Sequence, residues 1–191
     1  MSWLETYTHA RWEVDSPETY RYTTVEIAHA LARLCRYAGH TPHLYSVAQH
    51  SLAVYTALAS TPHATDRKLM LAALLHDASE AYLVDVPAPI KRLPIMEGYR
   101  ALEARVQHAI LSAFLPAPEV ERCLHHPAIA WADLAVLQRE RLSIVRAKYP
   151  WGDLPEPASE SMWTSPEPLE IDFVERAFRI HLDQVSAEAA R

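Results

Sequence analysis

Glycine is almost missing from this chain. Gly39, Gly98 and Gly152 are the three present in 191 residues, and none lies near another. A glycine-rich loop that cradles phosphate with backbone N–H groups needs several close together, so that route to a phosphate ligand is excluded. If phosphate is bound, a metal ion and basic side chains must meet it. Cysteine is scarce as well. Cys35 and Cys123 are too few and too unpatterned for a disulfide framework, which makes a reducing cytoplasm the expected compartment. No apolar run approaches the length of a membrane span, so no membrane is expected as a partner. The opening segment, MSWLETYTHARWEVD, has no apolar stretch of the kind a signal peptide carries. The formal net charge of -6 argues against a broad nucleic-acid surface, whose sign is basic. It leaves room for a small basic pocket that holds one anionic ligand.

What the chain does have is hydrophobic residues at 50%, fourteen prolines and eleven histidines. The length suits one domain over 1–191, and the hydrophobic content suffices for a core. The prolines fall in clusters and divide helices. Residues 1–22 read as an irregular lead. Thr23 and Glu26 have the spacing of a capping box, opening a helix that runs to Tyr37 with Ile27, Leu31, Leu34 and Cys35 on one face. Gly39 and Pro42 break it. A second helix is predicted over 46–60 and a third over 66–83, followed by a loop forced by Pro87, Pro89 and Pro94. Helices over 96–114 and 129–149 come next, with a short one after Pro118. Residues 150–168 hold five prolines and read as an ordered excursion or a lid. A last amphipathic helix covers 169–186. No internal repeat and no alternating strand pattern is visible, so the expected fold is all-α.

One set of side chains stands apart. His76 and Asp77 adjoin each other inside LLHDASEAY, and both can reach an ion that sits beside the helix. His50 falls on the apolar stripe of Val47, Val54 and Leu58, where an unpaired imidazole is costly. Asp133 lies in AIAWADLAVL, where an ionised carboxylate wants a cation nearby. Imidazoles and carboxylates together suit a divalent metal, with Mn, Co, Fe, Zn and Mg all compatible. Taken singly, each residue has an ordinary reading as well. His50 reads also as a hydrogen-bonded core histidine, and Asp133 as the N-cap of its helix. Together, the four point to a metal ion. A second site from His40, His43, His125 and His126 has no supporting spacing.

The order of His50, then His76-Asp77, then a distant Asp133 resembles the signature of the HD superfamily of metal-dependent phosphohydrolases. HDASEAYLVDVPAPIK, residues 76–91, is similar to the matching segment of bacterial HD-type 5'-deoxynucleotidases. LCRYAGHTPHLYSVAQHS, residues 34–51, is similar to bacterial and phage HD proteins that include deoxyadenosine triphosphate triphosphohydrolases. The resemblance spans about residues 25–140. It implies an HD-domain helical bundle with the metal site in its core. It also implies catalytic roles for Glu80 and Asp85, phosphate contacts from Arg36 and Lys91, and packing of Tyr37 on a nucleoside. Glu80 lies one helical turn beyond Asp77, which suits orienting water or passing a proton. The bland readings are a solvated helix residue for Glu80, surface or helix-end charges for Lys91 and Arg36, and core for Tyr37.

The expected reaction is therefore hydrolysis of a nucleotide by an HD-type phosphohydrolase. It is drawn first as release of triphosphate from a purine deoxynucleoside triphosphate. The alternatives are a 5'-deoxynucleotidase acting on monophosphates, a phosphodiesterase of cyclic or alarmone nucleotides, and a non-catalytic nucleotide-binding helical protein. The resemblance also implies homo-oligomers. Gly39 sits in the nucleoside-facing segment, where a bulkier side chain would grip a base, so the choice of base stays open.

Overall fold

Trp3–Glu5 (β1) and Arg11–Glu13 (β2) pair antiparallel, with Leu4 opposite Trp12. This hairpin occupies the segment expected to be irregular. Three residue pairs are too short a run for a period-two pattern to register in sequence. The structure is a computed structural model and describes residues 2–190. Trp12 is fully buried, and its indole N–H donates to the Tyr22 hydroxyl at 3.3 Å. The hairpin is tied down by a buried carboxylate. Glu26 accepts hydrogen bonds from Thr6 (2.6 Å), Thr8, Tyr20 (2.8 Å) and Tyr82 (3.3 Å). Four hydroxyl donors offset the cost of burying that charge.

Nine α-helices follow among the described residues. They are Thr24–Arg33 (α1), Val47–Ala59 (α2), Arg67–Leu74 (α3), Glu80–Leu83 (α4), Ala88–Lys91 (α5), Glu97–Phe114 (α6), Ala117–Leu124 (α7), Pro127–Ser143 (α8) and Ile171–Ala189 (α9). The fold is all-α apart from the hairpin. Helix α2 lies at its centre, packed against α1, α3, α8 and α9. It is apolar nearly all round, with Val47, Leu52, Val54 and Leu58 at zero exposure, as a central helix must be. Ser46 and Gln49 close its N-terminus with a reciprocal capping box. Asp66 caps α3, and Thr23 caps α1 through its hydroxyl.

Several helix ends differ from the expected ones. Helix α1 stops at Arg33 because Cys35 leaves helical geometry to bridge Ser46, with Arg36 N–H donating to the Tyr45 carbonyl at 2.9 Å. Helix α8 starts at Pro127 in the first turn and stops at Ser143, six residues short of Tyr149. The Pro-rich stretch is anchored to α8. The Ala158 N–H donates to the Ala135 carbonyl at 2.9 Å, Arg139 Nε donates to the Ala158 carbonyl at 2.8 Å, and Ser143 Oγ donates to the Thr164 carbonyl at 2.9 Å. Among the described residues, no helix is long and apolar enough to cross a membrane.

The helix predicted over 66–83 is interrupted. Residues 75–79 form turns between α3 and α4. Here i→i−3 bonds replace the helical ladder: Ala78 N–H donates to the Leu75 carbonyl at 3.0 Å, and Glu80 N–H to the Asp77 carbonyl at 3.0 Å. Gln107 of α6 completes the break. Its amide donates to the Leu75 carbonyl at 2.6 Å and accepts from the Ser79 N–H at 3.0 Å. A side chain thereby takes over backbone groups that the helix has released. The break falls on His76 and Asp77.

Candidate metal centre

His50 is the hub of the site. It projects from the first turn of α2 and has no exposed surface. Its Nε2 lies 3.1 Å from Nε2 of His76, 3.6 Å from Oδ2 of Asp77 and 3.1 Å from Oδ1 of Asp133. His76 Nε2 is in turn 3.2 Å from Asp77 Oδ2. The ligand atoms of His50, His76 and Asp77 all lie within 4.8 Å of one another, so these three can hold a metal ion. Asp133 approaches the same imidazole from α8. It sits well inside that helix, and the N-cap is His126, so the capping alternative for Asp133 does not hold.

The tautomers explain why this cluster wants a cation. His50 Nδ1 donates to Glu140 Oε1 at 2.6 Å, and His76 Nδ1 donates to the Ala73 carbonyl at 2.9 Å. Acceptors at both Nδ1 positions place the imidazole protons there, as the hydrogen-bond network requires. Two Nε2 lone pairs then face each other at 3.1 Å beside two carboxylates. That arrangement is repulsive unless an added proton or a metal ion lies among the four groups.

Charge shapes the titration of the cluster. Burial works against the charged form of His76, but Asp77 beside it prevails and lifts the imidazole from 6.5 to about 9. Burial also opposes the charge on Asp77. The two imidazoles and the Arg36 guanidinium, 3.3 Å away at Nη1, overcome it and hold that carboxyl well below the usual range. A group whose pKa rises on folding stabilises the protein below its unfolded value and ceases to as pH climbs through the folded value. Protein stripped of metal by a chelator is thus expected to lose stability between pH 6.5 and pH 9, by about 3 kcal/mol at most. Saturating divalent ion should flatten that window, because the ion replaces the proton. Urea unfolding across the pH range checks this, and a flat profile in chelator would count against the His76–Asp77 coupling.

Around the centre stand the other expected residues. Glu80 opens α4 and is buried. One oxygen meets Lys91 Nζ at 3.3 Å while Oε2 has no hydrogen-bond partner. Burial, then Asp77 and Asp85, push its pKa well above the ordinary carboxylate value. Such a carboxyl keeps a proton that it can give up. Burial raises the Asp85 pKa too. Lys91 is held by Glu103 at 2.6 Å as well as by Glu80, which places its ammonium one step from the centre. Arg36 bridges Asp77 and, at 3.6 Å, Glu140, with its Nε unpartnered. Its neighbour Tyr37 is less free than expected. The Tyr37 hydroxyl donates to Glu140, Arg36 lies over its ring, and Trp151 of the Pro-rich stretch packs against it with centroids 5.7 Å apart. Tyr37 and Ala38 both adopt positive φ, 58° and 51°, a left-handed geometry that the surrounding contacts must enforce. His40, His43, His125 and His126 join no metal-ligating cluster among the described residues.

No family model matches the chain. Over 141 residues, 74% of the chain, it is 33% identical to the uncharacterized protein YfdR of Escherichia coli K12, and the match covers 71% of that protein. The chain belongs to the YfdR family. It is also similar to the uncharacterized protein RCAP_rcc00048 of Rhodobacter capsulatus, at 36% identity over 124 residues, which is 61% of the chain and 63% of that relative.

In this YfdR-family chain, one residue of the site escaped sequence reasoning. Glu140 has zero exposure and joins His50, Tyr37, Tyr45 and Arg36. A weak signal existed. Glu140 follows Asp133 by seven residues, two helical turns, and so shares its face. In the sequence it reads as one charge in the surface-like run RER.

Proposed function

We propose that the chain is a metal-dependent phosphohydrolase of the HD superfamily acting on a nucleotide. We place it in the cytoplasm, where Cys35 and Cys123 stay as thiols, and assign it a homo-oligomeric state. The observation that carries the reading is the meeting of two Nε2 lone pairs and two carboxylates next to a largely buried guanidinium. The first four groups suit a hard or borderline divalent ion, and Arg36 supplies charge for a phosphate oxygen beside it.

His50, His76, Asp77 and Asp133 would hold the ion, which when bound supplies Lewis acidity toward water and phosphate. The chain's own groups do the rest. Arg36 and Lys91 offset charge on the non-bridging oxygens as it builds in the transition state. Glu80, whose carboxyl is biased toward its protonated form, delivers or accepts the proton that hydrolysis moves. Asp85 faces the sugar hydroxyl or the leaving oxygen. The Tyr37 ring, backed by Trp151, offers an aromatic surface for the base. We favour a purine deoxynucleoside triphosphate as substrate.

A panel of deoxynucleoside mono-, di- and triphosphates, assayed with each of Mn, Co, Fe, Zn and Mg, tests the proposal through the species released. Triphosphate is the expected product. Orthophosphate from monophosphates alone would make the chain a 5'-deoxynucleotidase. Tight metal binding with no turnover on any nucleotide would point to a structural ion and reject the enzymatic reading.

A further inference from the structure

Glu140 is a fully buried carboxylate with no place in the phosphoryl chemistry, and its four partners all come from the stretch 36–50. Oε1 accepts from His50 Nδ1 at 2.6 Å and from the Tyr45 hydroxyl at 2.8 Å. Oε2 accepts from the Tyr37 hydroxyl and faces Arg36 Nη2 at 3.6 Å. Buried carboxylates are costly, and a helix face packed on α2 has no need of one for its own stability. An apolar residue would fill the same space. What the carboxylate does that an apolar residue cannot is accept a hydrogen bond from the Nδ1–H of His50.

We infer that Glu140 is a positioning residue for the metal centre: it fixes His50 in the Nδ1–H tautomer, so the Nε2 lone pair is aimed at the cluster, and it ties the Arg36–Tyr37 turn to the same imidazole. A negatively charged acceptor on the far nitrogen makes the near nitrogen a better donor, and partners of this kind are commonly worth 10–100-fold in metal affinity. The second half of the role follows from the geometry. Arg36 touches both Asp77 and Glu140. The guanidinium is therefore held by one carboxylate at the centre and one behind it, and its placement depends on Glu140 as much as on its own strained turn. The inference rests on the metal reading of His50, and the test separates the two.

Full-length protein carrying Glu140→Gln is compared with wild type and with Tyr45→Phe. The Tyr45 change removes another hydrogen bond to the same oxygen without touching His50. Mn2+ affinity is measured by calorimetry, and the His50 tautomer by nitrogen-15 spectra of metal-free protein. Glu140→Gln is expected to weaken Mn2+ binding about 10–100-fold and to cost His50 its exclusive Nδ1–H form. Tyr45→Phe is expected to lower thermal stability while leaving affinity and tautomer as in wild type. Equal weakening by both variants, or wild-type affinity and tautomer in Glu140→Gln, would overturn the positioning role. Wild-type protein that binds no Mn2+ or other divalent ion would remove the metal reading and this inference together.

Discussion

Asp77→Asn is expected to release the metal and abolish turnover in one step. The carboxylate stands at the junction of the centre, 3.2 Å from His76 Nε2, 3.6 Å from His50 Nε2 and 3.3 Å from Arg36 Nη1. The asparagine amide preserves the shape but removes the charge that balances the guanidinium and any bound cation. Losing one such ligand should weaken binding by more than the ~10–100-fold typical of an outer partner. Metal content after desalting, read by elemental analysis, and nucleotide hydrolysis by the same sample should fall together. Metal retained at wild-type stoichiometry would sink the assignment of Asp77 as a ligand. Far-UV circular dichroism serves as the folding control. The interruption that presents Asp77 is held by Gln107 and not by its own side chain, so the helix content should persist.

Glu80→Gln should do the opposite: keep the metal and lose the rate. Glu80 touches Lys91 but no ligand atom of the cluster, and its second oxygen is buried without a partner. The amide can still accept from Lys91, so the local packing survives. What it cannot do is exchange a proton, and a positioned acid or base contributes about 100-fold or more. Triphosphate release per bound metal is the decisive ratio. A variant with normal metal and normal turnover would show that Glu80 is no more than the buried partner of Lys91.

Much of the centre was legible because burying polar groups is costly. An imidazole on the apolar stripe of α2 and an aspartate within an alanine- and leucine-rich helix each call for a partner, and His50 and Asp133 do meet. Adjacent His76 and Asp77 were legible as a pair, though not the reason both face the site. That reason is a turn imposed from α6 by Gln107, a residue that nothing in LLHDASEAY announces. Glu140 was hidden for a similar cause. Its partners are up to 104 positions earlier, at Arg36, and a charge among charges looks solvated until the helix is placed. Tyr37 was legible as an aromatic near the site, but not as one whose hydroxyl and ring are already engaged by Glu140 and Trp151.

Local patterning by itself determined the all-α class, most of the helices and the need of His50 and Asp133 for polar partners, because helical periodicity and the cost of burial act within a few turns of chain. Only the tertiary structure decided where the long helix breaks, which carboxylate accepts the His50 Nδ1–H, and that the Pro-rich excursion lies against α8 with its tryptophan on Tyr37. Those outcomes depend on groups far apart in the chain that satisfy one another only after the helices have packed.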